Sequence, residues 1–214
     1  MKVTSYRGNH VRIAALRPAS RRPVVTRGLV GQKHRLCQAL SDARTVTITT
    51  AKGTIVIAVK GSLSPIATGN FVELAQCGYY DGVVFHRLVP DFVIQGGDGQ
   101  YGREPNVDPN LVGTGGAPYT IKDEPVTTTY KRGTVAMART SQPDSVTSQF
   151  FIVLSDSAAQ ALANPQYNNY QIVGEVTSGM DVVDAIAAMP NSGASTGNLA
   201  TDPVAMTRVT VSNP

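Results

Sequence analysis

Apolar and polar residues alternate with period two from Thr45 through TVTITTAKGTIVIAVK. Val46 and Ile48 fall on one face, and Ile55, Ile57 and Val59 fall on one face after a turn at Lys52-Gly53. This pattern predicts a β-hairpin. Ser64 followed by Pro65 supplies an N-cap and a first-turn proline, and Ala67, Phe71 and Leu74 follow at helical spacing up to Gly78. The runs GVVFHRLV, DFVIQG, GTVAMAR, SQFFIVLS and YQIVGEV are apolar and bounded by turn residues, so they read as strands. A second helix is predicted over Met180 to Ala188, with Ser178 and Asp181 spaced as a capping box and Pro190 as its stop, and a last strand near Val204 to Val211. Hairpin strands with only two helices, and no strand-helix alternation, predict a mainly β domain: an antiparallel barrel or sandwich with helical caps.

The pattern fails before Thr45. Residues 1–44 show neither period, and they carry ten Lys or Arg against Asp42 alone, whereas the remainder carries nine basic and fourteen acidic residues. The formal charge of +4 and pI near 9.2 therefore describe a basic extension on a mildly acidic domain, and are no sign that the domain binds nucleic acid. The extension is predicted to be disordered, with residues 45–214 forming one domain. For an Arg-rich, acid-poor leader the readings are a solvated tail, an organelle transit peptide, an arm attracted to RNA or to an anionic surface, or sequence upstream of the true start.

Composition narrows the chemistry. No run approaches the roughly 18 apolar residues of a membrane helix, and 42% hydrophobic residues fill one core. Cys37 and Cys77 stand far apart without a nearby His cluster, which supports neither a disulfide framework nor a zinc site and suits a reducing compartment. Cys77, in a predicted helix, reads as a small core residue. The spacing G-x-G-x-x-G occurs at Gly97, Gly99 and Gly102, but Pro105 and Pro109 follow where a nucleotide fingerprint needs a helix. The stretch Gly113 to Gly116 lacks the Lys-Ser/Thr of a phosphate loop. These glycines read as turn formers. Only His10, His34 and His86 are present and no G-x-S-x-G elbow accompanies them, so a hydrolase triad is unsupported.

One constellation remains. In FHRLVPDFVIQ, Arg87, Phe92 and Gln95 lie on two strands joined at Pro90-Asp91, so a cationic donor, an apolar platform and an amide can share a surface. Met137, Ala138 and Arg139 follow on a later strand, then Gln149, Phe150 and Phe151, with Gln149 and Phe151 on one face. Plain core packing accounts equally for the phenylalanines, and composition alone favours it. An arginine inside an apolar strand is harder to dismiss, because burying it unpaired is costly. Strict alternation places His86 opposite Arg87, as a structural residue.

FHRLVPDFVIQGGD, GTGG, GTVAMART and SQFFI, in this order, closely resemble the cyclophilins, and MARTSQPDSVTSQFFI resembles their bacterial branch. The resemblance covers about Thr45 to Val211. It implies a closed eight-stranded antiparallel β-barrel capped by two helices, with the binding groove on the outer wall. It implies isomerisation of Xaa-Pro peptide bonds in proline-containing peptides and unfolded proteins, without metal or organic cofactor. By position, Arg87, Phe92, Gln95 and Phe151 would be catalytic, and Val93, Met137, Ala138, Arg139, Gln149, Leu162, Tyr170 and Gly113 would bind substrate. The chain departs from the family where Val93 replaces a frequent Met, Arg139 an Asn, Tyr170 a His, and Ala161 a Trp before Leu162. That Trp helps hold cyclosporin, so weak cyclosporin binding is expected. A monomer in a bacterial-type cytoplasm is the default expectation, with an organelle as the alternative if residues 1–44 are a leader and nucleic-acid contact confined to that segment. A proline-peptide binding module or chaperone with incidental turnover is the rival function.

Overall fold

Thr45–Thr50 (β1) and Gly53–Val59 (β2) form the predicted hairpin, with Val46 opposite Ile57 and Ile48 opposite Ile55, so the apolar members of both strands share the inner face. The structure is a computed structural model that describes residues 44–164 and 169–212. The expected extension, with His10, His34 and Cys37, lies outside the described residues apart from Arg44. Strands β3 (Val84–Val89), β4 (Val93–Gly96), β5 (Thr134–Met137), β6 (Phe150–Val153), β7 (Ile172–Ser178) and β8 (Leu199–Val211) complete a closed barrel in the order β1-β2-β7-β5-β6-β4-β3-β8, every neighbouring pair antiparallel. β8 is longer than its apolar pattern suggests, because it bonds to both β1 and β3 and so removes the last open edge.

Period-two alternation along these strands creates two apolar clusters. Inside lie Val46, Ile48, Ile55, Ile57, Phe85, Leu88, Ile94, Val135, Met137, Phe150 and Ile152. Outside, Val93, Ala136, Phe151, Val153 and Ile172 form a separate cluster with Tyr130 and with Ala158, Ala159 and Leu162. The wall between them is one strand thick, so each strand's odd and even positions serve different purposes.

Pro65–Gln76 (α1) buries Ala67, Phe71, Val72, Leu74 and Ala75, and its Phe71 ring stacks edge-on against Phe150 of the barrel core at 5.2 Å. Each such large apolar side chain contributes about 1.5–3 kcal/mol on burial. Met180–Ala187 (α3) buries Val182, Val183 and Ile186. Between them lies a helix that the sequence did not predict, Asp156–Leu162 (α2), which begins at Ser155 with its hydroxyl accepting from Ala158 N and packs Ala158, Ala159 and Leu162 onto the outer cluster. Among the described residues the protein thus has three α-helices, one more than the two caps expected. Its sequence, DSAAQAL, is too short for its periodicity to be read.

Local chemistry departs from expectation at both predicted caps. Ser64 makes no side-chain cap on α1; instead the Glu124 carboxylate, from a distant loop, accepts from Ile66 N and Ala67 N at 3.0 and 2.9 Å. The Ser178–Asp181 box does not form, because Gly179 at φ 88° is the N-cap of α3. Cys77 is exposed, since α1 ends at Gln76 and its apolar face is already supplied by other residues.

Candidate active site

β3 carries a bulge between Phe85 and Arg87, where its register with both β4 and β8 shifts. Phe85 and Leu88 both enter the inner core, so His86 and Arg87 between them both leave it. The alternation expected from sequence, which set these two residues on opposite faces, is broken by that extra residue. Arg87 lines a groove on the outer wall, while His86 is 2% exposed and lies under Gly113, where a Cβ would approach its Nε2 to 3.2 Å. Burial lowers the His86 pKa to about 4, opposed by Asp98.

The groove, about 400 Å³, is lined by Arg87, Phe92, Val93, Gln95, Ala138, Arg139, Phe151, Ala161, Leu162 and Tyr170. Its floor is the outer cluster, so Phe151, for which plain core packing was the favoured reading on composition, lines an open groove instead. Phe151 is fixed edge-on to Tyr170 at 5.3 Å, and Tyr130 holds Tyr170 by donating to its carbonyl and accepting from its amide, both at 3.1 Å. Tyr130 was not foreseen. Burial pushes its phenol up to about 12, which keeps the hydroxyl a donor.

Arg87 Nε donates to Gly197 O at 3.2 Å and Nη1 to Gln95 Oε1 at a long 3.4 Å. Gln95 Nε2 in turn donates to Gln149 Oε1 at 2.8 Å. Burial lowers the Arg87 pKa, with Tyr170 opposing, and among the described residues Arg87 forms no salt bridge. Among the described residues only part of the guanidinium's five-donor set is used, and the side chain lines a largely apolar groove.

A second cavity of about 360 Å³ adjoins the first, sharing Gln95, Ala138 and Arg139 and adding Gly113 and Gln149. At the junction the Arg139 guanidinium is bound to Asp123 at 2.9 Å and donates to Gln142 O at 2.8 Å. Of the residues expected in the site, eleven line these two cavities. Met137 does not. It is fully buried inside the barrel, because β5 sends Val135 and Met137 inward and Ala136 outward. The Gly197 carbonyl and the Asp123 carboxylate also escaped sequence reading: one is a backbone atom and the other lies in a loop without periodicity.

Residues 45–211 match the family described as cyclophilin type peptidyl-prolyl cis-trans isomerase/CLD. A peptidyl-prolyl cis-trans isomerase of Acinetobacter baylyi is 38% identical over 170 residues, covering 79% of this chain and 82% of that protein. One from Streptomyces antibioticus is 38% identical over 162 residues, covering 72% and 89%. In three dimensions the chain is similar to a Cryptosporidium parvum cyclophilin type peptidyl-prolyl cis-trans isomerase solved in the presence of the dipeptide Ala-Pro, with TM-score 0.64, 27% identity, and 79% and 99% of the two chains covered. With barrel, groove and arginine in place, the chain belongs to the cyclophilin-type peptidyl-prolyl cis-trans isomerases. Its reaction is rotation about Xaa-Pro peptide bonds.

Proposed function

We propose that Arg87 is the catalytic donor of this isomerase and that Phe92, Val93, Phe151 and Leu162 hold the proline ring. The observation that carries this reading is the half-buried guanidinium, free of any carboxylate among the described residues and set on the rim of an apolar groove. Rotation about Xaa-Pro faces a barrier of about 18–20 kcal/mol because amide conjugation must be broken. In the twisted transition state the prolyl nitrogen regains a lone pair. A fixed N–H donor with positive charge stabilises that lone pair more than the planar ground state, in which it is delocalised. No covalent bond is made or broken.

Gln95 orients Arg87 and offers its amide to the substrate backbone, and Gln149, Ala138 and Gly113 shape the neighbouring cavity. Arg139 contributes shape more than free charge, since Asp123 neutralises it. Proline-containing peptides and unfolded chains are the proposed substrates, with assistance to protein folding as the role, acting as a monomer in the cytoplasm. That the Cryptosporidium relative was solved in the presence of Ala-Pro supports a proline ligand class.

Exchange NMR on a proline peptide tests the reading against a binding module with incidental turnover. The isomerase reading expects wild type to accelerate exchange and Arg87→Ala to bind the peptide without accelerating it. Equal rates for the two proteins would leave only the binding module.

A further inference from the structure

We infer that Asp98, which lies outside the groove, is a positioning residue for Arg87. Asp98 is fully buried. Its carboxylate accepts four backbone N–H groups: Oδ1 takes Gln100 and Tyr101, both at 3.0 Å, and Oδ2 takes Gly113 at 2.7 Å and Gly115 at 3.0 Å. The carbonyls of the same two glycines accept from one atom, Gln149 Nε2, at 2.9 and 2.7 Å. Gln149 Oε1 accepts from Gln95, and Gln95 Oε1 accepts from Arg87. An unbroken sequence of hydrogen bonds therefore runs from Asp98 through the 113–115 loop and two amides to the guanidinium.

This route fixes more than position. With both Gly113 and Gly115 carbonyls accepting, the Gln149 amide must present its NH2 to the loop and its oxygen to Gln95. Gln95 must then donate to Gln149 and turn its own oxygen toward Arg87. Reversing either amide would set N–H against N–H at the next link. Asp98 determines the orientation because its Oδ2 draws both glycine amides to one point, and the loop can comply because Gly113 holds φ 92° and a Cβ at Gly115 would lie 2.6 Å from Asp98 Oδ1. The glycines of GTGG thus serve the arginine at a distance.

The inference rests on Arg87 as catalytic donor, and the test separates the two. Asp98→Asn keeps the shape but faces an NH2 toward one pair of backbone donors. Gln149→Leu cuts the route one link further on and leaves the Asp98 loop intact. Both folded variants should lose about tenfold in isomerisation rate at saturating peptide, with peptide dissociation constants within about threefold of wild type. The Arg87 Nε–Hε resonance should shift in both. The double variant should be no slower than the slower single one. Should Asp98→Asn fail to fold, Gly115→Ala, whose Cβ would stand 2.6 Å from Asp98 Oδ1, displaces the same carboxylate and should bring the same loss. Rates within twofold of wild type in the folded variants, an unmoved Arg87 resonance, or single losses that multiply in the double variant would each overturn the positioning role. A wild-type rate that Arg87→Ala leaves unchanged would instead overturn the catalytic role of Arg87 itself.

Discussion

His86 and Arg87 are neighbours in sequence and lie on the same side of β3, yet His86 is 2% exposed beneath Gly113 while Arg87 faces the groove with no salt-bridge partner among the described residues. The bulge that turns both outward gives one a structural environment and the other a chemical one.

Arg87→Ala should lower kcat/KM by about a thousandfold, equivalent to about 4 kcal/mol of transition-state stabilisation. Arg87→Lys should recover only part of this, because a single ammonium cannot reach Gly197 O, Gln95 Oε1 and the substrate together. A protease-coupled assay measures both. Activity should be flat between about pH 6 and 9, since an arginine remains charged throughout.

His86 predicts a pH effect on stability and not on rate. Its pKa is lowered from 6.5 to about 4 in the folded protein, so across that window the unfolded chain binds a proton that the folded protein rejects. Stability should therefore fall as pH drops from 6.5 toward 4 and be unaffected by this group above and below the window, a loss of about 3 kcal/mol in all. Urea midpoints across the window check this. In His86→Phe the corresponding part of the slope should vanish, and an identical slope in both proteins would refute it.

Phe150 and Phe151 are adjacent but belong to different clusters. Phe150→Leu should cost about 1–2 kcal/mol of stability and leave kcat/KM within about twofold of wild type. Phe151→Leu should raise the dissociation constant for a proline peptide by about tenfold at similar stability cost, since it removes the ring held by Tyr170. Thermal melts and peptide titration separate the two.

Glu124→Gln removes the charge that caps α1 without touching the groove. A loss of about 1 kcal/mol in stability is expected, with unchanged isomerisation.

Cyclosporin should bind weakly, because Ala161 and Tyr170 form the groove rim and neither supplies an indole. Calorimetry checks it. A nanomolar dissociation constant would contradict this expectation.

Strand alternation, the β1–β2 turn and the ordered motifs around Arg87 and Phe151 are local features, and the sequence determined them: antiparallel β architecture, the position of α1, and the family. Local patterns cannot report what depends on closure and distant partners. The β3 bulge that sets His86 beside Arg87, the inward turn of Met137, the short helix α2 that carries Leu162 and the Glu124 cap on α1 all depend on tertiary contacts. So does the split of one apolar pattern into an inner core and an outer groove floor, because period two states which residues share a face but not which face looks inward. The hydrogen-bonded route from Asp98 to Arg87 joins loops and strands far apart in the chain, and only tertiary structure could decide it.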